Sequence, residues 1–302
     1  MKTRLIIFLL KALLFLLPVL LGFEVLFRLG FYPIMTNSIL FDHKMIQVGK
    51  DGIREVKLMA MGSSCALYDL SSEVMVRHFD LPYYNFSSWG LQVPDMRLLL
   101  TALVQQYRPE AVIICSSPWD FMKPPNDSYR NYTSMPSFVR NHLPEAFYFR
   151  PFSSIHALFY RKWEGYPASI DHWGGMPKNI PEKEIHRQQW DKNFLFPTPC
   201  TEDAYEALDT LGAWLQDQQV RLIFAEAPLN MVFDNAAEAG PLLAAHIERC
   251  RSIVTKHGGV YLNYHDPARF PDSLFFDQTH LQAPGAAILT EQLAADLSRI
   301  IK

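Results

Sequence analysis

Residues 56–65 read VKLMAMGSSC, a short apolar run that ends in a turn of small residues. The run predicts a buried β-strand from Val56 to Met61 that ends at Gly62. Similar short runs recur along the chain and alternate with stretches whose apolar residues follow helical spacing. This order is typical of a parallel β-sheet with helices on both faces, so we expect an α/β fold.

The other predicted elements continue this alternation. Further strands are predicted at 83–86 (YYNF), 111–115 (AVIIC), 220–225 (VRLIFA) and 260–263 (VYLN). Helices are predicted at about 95–107, 202–218, 241–256 and 284–300. Residues 118–200 instead hold many aromatic residues, prolines and histidines without long periodic runs, which predicts an insertion or cap. Such an insertion is either a loosely packed excursion or a lid that faces a substrate or partner.

The N-terminal segment is strongly apolar. Residues 5–21 read LIIFLLKALLFLLPVLL, and a membrane span takes about 20 mainly apolar residues. No small-x-small cleavage site of a signal peptide follows. We therefore expect 1–30 to be an uncleaved transmembrane anchor and 31–302 to be one extracytoplasmic domain. Lys2 and Arg4 precede the apolar run, which favours a cytoplasmic N-terminus.

The composition excludes several classes of protein. Of 302 residues, 49% are hydrophobic and 20% are charged, so the chain is not intrinsically disordered. A net charge of -3 offers no basic surface for nucleic acid. We expect neither a metal nor a cofactor. The four cysteines form no C-x-x-C pair; they are Cys65, Cys115, Cys200 and Cys250. The histidines of the insertion show no H-x-x-x-H spacing; they are His142, His156, His172 and His186.

Polar residues follow the predicted strands, and ligands of open parallel sheets bind beyond the carboxyl ends of the strands. Ser64 follows the first strand, while Asp277 and His280 stand close together near the C-terminus. A serine hydroxyl becomes a nucleophile when an imidazole oriented by a carboxylate takes its proton. The pattern therefore predicts a catalytic triad of Ser64, His280 and Asp277.

These motifs resemble the SGNH (GDSL-like) hydrolase superfamily. Residues 62–64 (GSS) match the family's Gly-Asp-Ser block with Ser in place of Asp, and 277–286 (DQTHLQAPGA) match the Asp-x-x-His block and its continuation. The resemblance implies a flavodoxin-like parallel sheet, Ser64 as nucleophile and Gly90 as an oxyanion-hole donor. The family's GxND block is absent. At its place stand residues 115–120 (CSSPWD), where Ser117 is the candidate for oxyanion or substrate binding.

Two rival interpretations concern the cysteines and the fold. Cys65 lies one position beyond the matching serine, so we expect it to be a small buried residue rather than the nucleophile. A disulfide between Cys65 and Cys115, which end neighbouring predicted strands, stays open. An α/β-hydrolase would need a G-x-S-x-G elbow, but residue 66 is Ala.

An anchored SGNH-like domain is similar to the accessory proteins of bacterial envelope modification, such as those of teichoic-acid D-alanylation (DltD) and alginate O-acetylation. The resemblance implies acyl transfer through Ser64 to a polysaccharide or other envelope polymer, together with a multi-pass membrane-bound O-acyltransferase. Two alternatives remain: an envelope carbohydrate esterase, and a non-catalytic scaffold that binds a polymer.

Overall fold

A computed structural model of the chain describes residues 2–28, 36–134, 170–190, 199–230 and 239–300. Within these ranges, five strands form one parallel sheet in the order β2-β1-β3-β4-β5. The strands are β1 (Leu58–Met61), β2 (Tyr83–Asn85), β3 (Ala111–Ser116), β4 (Arg221–Glu226) and β5 (Val260–Asn263). The predicted α/β fold with a parallel sheet is confirmed. This order is the flavodoxin-like one, whose ligand crevice lies where the order reverses, between β1 and β3.

The α-helices alternate with these strands. They are α1 (Lys2–Arg28), α2 (Ile39–Lys50), α3 (Ser64–Asp69), α4 (Ser72–His78), α5 (Val93–Tyr107), α6 (Arg130–Thr133), α7 (Glu202–Asp217), α8 (Ala239–Lys256) and α9 (Ala283–Leu297). Short 3-10 turns lie at Pro118–Phe121, Asp127–Tyr129, Glu182–Glu184, Arg187–Gln189 and Asp272–Leu274.

Both faces of the sheet are covered, because successive side chains of a strand point to opposite faces. Met59 and Phe224 belong to a buried cluster with residues of α2, α5, α7 and α8. Ala60 and Ile223 belong to a second cluster with residues of α3, α4 and α9. Strands buried on both sides read as continuous apolar runs, which is why the sequence predicted their positions closely.

Besides the single helical turn α6, three helices were not predicted: α2, α3 and α4. They are only 12, 6 and 7 residues long, which is too short for a clear helical periodicity. Each nevertheless begins with a serine N-cap whose side chain accepts a backbone N–H bond, namely Ser38 from Phe41, Ser63 from Cys65 and Ser71 from Val74. These serine N-caps are the sequence feature from which the starts of the three helices could have been predicted.

The predicted insertion at 118–200 is described only in part, since 135–169 and 191–198 lie outside the described residues. His142 and His156 lie in the first of these two stretches. Its described segment 170–180 lies against the sheet's carboxyl edge. There the N–H of Asn85 donates to the carbonyl of Trp173 at 2.8 Å, and the N–H of Met176 donates to the carbonyl of Leu67 at 2.9 Å.

Helix α1 carries many large apolar side chains on its surface, among them Phe15, which is 79% exposed, and Leu14, which is 67% exposed. Across the described ranges, no helix is both long enough and apolar enough to qualify as a membrane span. The transmembrane anchor remains a prediction from the sequence.

Candidate active site

Ser64 is placed by the tight turn between β1 and α3. Gly62 follows β1 directly, and a Cβ at this position would lie 2.3 Å from the carbonyl oxygen of Cys115 on β3. Only glycine therefore lets the chain pass so close to the neighbouring strand. Ser63 then caps α3, and Ser64 is the first residue of that helix. The turn holds the Ser64 hydroxyl at the carboxyl edge of the sheet.

The structure brings Ser64, His280 and Asp277 together. The Oγ of Ser64 lies 2.7 Å from Nε2 of His280. On the other side of the ring, Nδ1 of His280 lies 2.7 Å from Oδ2 of Asp277 and 2.9 Å from Oδ1. A carboxylate can only accept, so Nδ1 carries the proton and Nε2 is left to accept the proton of the serine hydroxyl. This chain of contacts is what a serine nucleophile needs.

The carboxyl group of Asp277 is held ionised by its neighbours. Burial raises its pKa, but the hydrogen bond and charge of His280 outweigh burial, with help from backbone N–H groups, so the pKa falls below its ordinary value. The N–H groups of Thr279 and His280 each donate to Oδ1 at 2.9 Å. The aspartate can therefore stabilise an imidazolium when His280 takes a proton.

Aromatic side chains fix the plane of the His280 ring. Phe276 stacks on it with ring centroids 5.5 Å apart, and Tyr68 meets it edge-on at 5.1 Å. The indole N–H of Trp89 donates to the Tyr68 hydroxyl at 2.6 Å. Nζ of Lys178, from the described part of the predicted insertion, lies 4.7 Å from the centroid of the Tyr68 ring. The His280 ring is thus packed between Phe276 and Tyr68, and Trp89 and Lys178 in turn contact Tyr68.

A cavity of about 310 Å³ opens beside Ser64 and His280. Gly90 and Ser117, the two predicted oxyanion or substrate-binding residues, both line it. Gly90 has φ +66°, a conformation that favours glycine. Ser117 is 1% exposed. The remaining lining residues are Ser63, Cys65, Gln92, Trp119, Asp120, Met122, Lys123 and Thr279.

Cys65 directly follows Ser64 in the sequence and lines the same cavity. Its thiol donates to the Ser117 hydroxyl at 3.5 Å. Burial raises the pKa of the thiol well above its ordinary value, which keeps it protonated and unreactive. Cys65 and Cys115 are free thiols. The disulfide that the sequence left open is therefore absent between them.

Gln92 and Asp120 are two of the cavity residues that the sequence did not predict. The side-chain amide of Gln92 lines the cavity; its Oε1 accepts the N–H of Lys123 at 2.9 Å, and its Nε2 lies 3.4 Å from the carbonyl oxygen of Gly90. A side-chain amide, the group that the absent GxND block would supply, is thus present on a different loop. The only signal was its position two residues after Gly90.

Asp120 is the second missed residue. It is 2% exposed, and its Oδ2 accepts the Ser116 hydroxyl at 2.8 Å and the N–H of Ser117 at 3.4 Å. Burial raises the pKa of this carboxyl to about 7. Asp120 therefore orders the loop that carries Ser117, and it changes charge near neutral pH.

No protein-family model matches the chain, and no curated protein matches it. Solved structures similar to it include a Bacteroides fragilis protein assigned as an acylhydrolase, with a TM-score of 0.46, 7% identity and coverage of 86% of this chain and 98% of that one. A GDSL-like lipase from Bacteroides thetaiotaomicron has a TM-score of 0.44, 8% identity and coverage of 86% and 99%. Likeness at this level bears on neither substrate nor mechanism.

Proposed function

We propose that this protein is an SGNH-type serine acyltransferase that O-acylates a cell-envelope or extracellular polymer, acting with a multi-pass membrane-bound O-acyltransferase. The observation that carries the proposal is the chain of 2.7 Å contacts from Asp277 through His280 to Ser64, which ends at an open cavity. A surface that only bound a polymer would need no such chain.

In the first half-reaction, Oγ of Ser64 attacks the carbonyl carbon of an acyl donor while Nε2 of His280 takes the hydroxyl proton. The resulting oxyanion needs hydrogen-bond donors, for which the backbone N–H groups of Ser64 and Gly90 and the side chains of Ser117 and Gln92 are the candidates. When the intermediate collapses, the bond to the donor's leaving group breaks, and His280 returns its proton to that group. The product is an acyl ester on Ser64.

In the second half-reaction, a polymer hydroxyl attacks the ester carbonyl and gives its proton to His280. The bond to Ser64 Oγ then breaks, and His280 protonates the serine again. Trp119 and Met122 offer apolar surface for the acyl group, while Gln92 and Thr279 offer polar partners for a sugar. Water in place of the polymer hydroxyl would turn the same cycle into ester hydrolysis.

The proposed place of action is the outer face of a membrane, with a cytoplasmic N-terminus. The exposed apolar side chains of α1 support this proposal, because a helix with such a surface is stabilised by an apolar environment. Anchoring would keep Ser64 close to an acyl donor delivered through the membrane by the partner enzyme.

The test is labelling and transfer by the full chain in detergent. A fluorophosphonate should modify the protein once, at Ser64, with no labelling of Ser64→Ala and normal labelling of Ser252→Ala, whose serine is exposed on α8. An activated ester supplied with a sugar oligomer should then yield more acyl-sugar than free acid. If the assay yields more free acid than acyl-sugar, the esterase alternative is favoured. If cells carrying Ser64→Ala still acylate their polymer, the non-catalytic scaffold is favoured instead.

A further inference from the structure

Lys44 is a fully buried lysine to which the proposed reaction steps give no role. It lies on α2, and its exposed fraction is 0%. Lysine is almost never buried this completely unless its amino group has partners. Nζ of Lys44 donates to the backbone carbonyl of Asn85 at 3.0 Å and to that of Ser87 at 2.5 Å. The amino group therefore binds the chain at the point where β2 ends.

The segment 86–90 follows β2 and is fastened to the turn between β1 and α3. β2 lies at the end of the strand order, and of the described strands only β1 pairs with it. Past the end of β2, the N–H of Phe86 donates to the carbonyl of Ala60 at 2.8 Å. The N–H of Ser88 donates to the carbonyl of Gly62 at 3.1 Å. These two bonds hold the segment beside the turn.

Lys44 binds the opposite ends of the same two peptide groups. The carbonyl of Asn85 shares its peptide group with the N–H of Phe86. The carbonyl of Ser87 likewise shares its peptide group with the N–H of Ser88. Because the C=O and N–H of a trans peptide point in opposite directions, both carbonyls point away from β1. Lys44 therefore supplies the donor on the side of the segment that β1 leaves open.

Two residues of the segment 86–90 reach the active site. Gly90 lines the cavity, and its backbone N–H is a candidate donor to the oxyanion. Trp89 donates its indole N–H to the hydroxyl of Tyr68, whose ring meets that of His280 edge-on. A shift of the segment would therefore displace an oxyanion donor together with a contact that supports the base.

The hydrogen bonds of Lys44 do not require one particular charge state. Burial lowers the pKa of Lys44 to about 7, and the charge of Asp171 opposes this shift. The ammonium group has three N–H donors and the neutral amine has two, so either form can bind two carbonyls. Removal of the amino group, rather than a change of pH, is therefore the perturbation that tests its role.

We propose that Lys44 is a positioning residue that holds the segment 86–90, and with it the N–H of Gly90, in place for the oxyanion of acyl transfer. The inference rests on the proposed chemistry of Ser64 and adds to it a residue outside the triad and the cavity lining. A displaced donor stabilises the transition state less while substrate binding changes little. Loss of the amino group should therefore lower kcat more than it raises KM.

The activity test compares Lys44→Met with wild type on an activated ester, with both proteins as full chains in detergent. Met keeps an unbranched side chain of similar length and removes the N–H donors. We expect kcat to fall by about tenfold or more with KM within about twofold, and fluorophosphonate labelling of Ser64 to slow by a similar factor. Measurement well below the Tm of both proteins separates this effect from unfolding.

Two control variants lie on the same helix. Val48→Ala shortens a buried side chain of α2, so it should lower Tm and keep kcat. Lys50→Met removes an exposed amino group at the end of α2 and should also keep kcat. Together they separate the hydrogen bonds of Lys44 from the stability of the helix and from its positive charge.

Hydrogen exchange tests the same contact without catalysis. In the wild-type chain, the hydrogen-bonded amides of Phe86 and Ser88 should exchange about as slowly as those of β1. In Lys44→Met, peptides that cover 86–90 should exchange faster by about tenfold or more, while those of β4 should not change. The wild-type measurement does not require any variant to fold.

The outcomes separate failure of this inference from failure of the proposed function. A wild-type chain that neither labels at Ser64 nor hydrolyses the ester would refute the serine chemistry, and the role of Lys44 would be refuted with it. An active wild type whose kcat is unchanged in Lys44→Met would overturn the inference alone. Fast exchange of 86–90 in the wild type, unchanged exchange in Lys44→Met, or an equal loss of kcat in Val48→Ala would overturn it as well.

Discussion

Asp69 accepts a hydrogen bond from the backbone N–H of Leu281 at 2.8 Å. Asp69 is the last residue of α3, the helix that Ser64 begins, and Leu281 follows His280 directly. A single side chain thus connects the segment that begins with Ser64 to the loop that carries His280. The relationship suggests that Asp69 sets the distance between Ser64 and His280.

The hydrogen bond from Leu281 to Asp69 predicts that the reactivity of Ser64 requires an acceptor oxygen at position 69 and does not require a negative charge there. Burial raises the pKa of Asp69 well above its ordinary value, so it favours the uncharged form of this carboxyl. Asp69→Asn should keep the acceptor and label with fluorophosphonate at close to the wild-type rate. Asp69→Ala should slow labelling by about tenfold or more, because the His280 loop loses its tie to α3. Equal slowing of both variants would show that the charge is required instead.

The cavity predicts which donors stabilise the oxyanion. We expect Ser117→Ala and Gln92→Ala each to lower kcat for an activated ester by about 10–100-fold while KM changes little, since such donors act mainly in the transition state. Cys65→Ala is the matched control in the same cavity and should keep most of the wild-type kcat. A large loss of kcat in Cys65→Ala alone would instead indicate that the Cys65 thiol is the reacting group.

The strands and the Asp277–His280 pair could be predicted from the sequence, because each leaves a local pattern in it. Strands buried on two faces leave continuous apolar runs, and Asp277 and His280 lie on one loop, so their pairing depends only on local spacing. The place of Gln92 in the cavity could not be predicted, because it depends on how the loops after β2 and β3 approach each other. The same holds for Lys44, which meets the carbonyls of Asn85 and Ser87 only when α2 lies beside the end of β2.

The turn at Gly62 predicts a large effect of a small substitution. In Gly62→Ala the new Cβ would lie 2.3 Å from the Cys115 carbonyl oxygen and 2.5 Å from the Cβ of Ala66. We expect the free energy of unfolding to fall by about 1–3 kcal/mol, as for other overpacked sites.

Gly240→Ala is the matched control for Gly62→Ala. Gly240 lies in the first turn of α8, and a Cβ there would meet no atom within 4 Å. The substitution should be neutral or stabilising by up to about 1 kcal/mol, because it replaces glycine in a helix. Urea denaturation of both variants checks the pair, and an equal loss in both would refute the role of the close approach at Gly62.

The buried carboxyl of Asp120 predicts a pH-dependent stability. Its pKa is raised from 3.8 to about 7 by burial, so the folded protein holds this proton over a range in which the unfolded chain has released it. The contribution of Asp120 to the free energy of unfolding is therefore full below pH 3.8 and falls as the pH rises through about 7. Each pKa unit corresponds to about 1.4 kcal/mol, so the change amounts to a few kcal/mol.

Asp120→Asn should remove this pH dependence. The stability of wild type relative to Asp120→Asn, measured by urea denaturation at pH values of about 4.5 and about 7.5, should be greater at the lower pH. The comparison cancels the groups that titrate in both proteins. Asp127→Asn serves as the control, because Asp127 is 84% exposed on the neighbouring turn and its replacement leaves the buried carboxyl intact. A stability difference between wild type and Asp120→Asn that does not change with pH would mean that Asp120 is ionised in the folded protein throughout this range, with Ser116 and Ser117 stabilising the charge against burial.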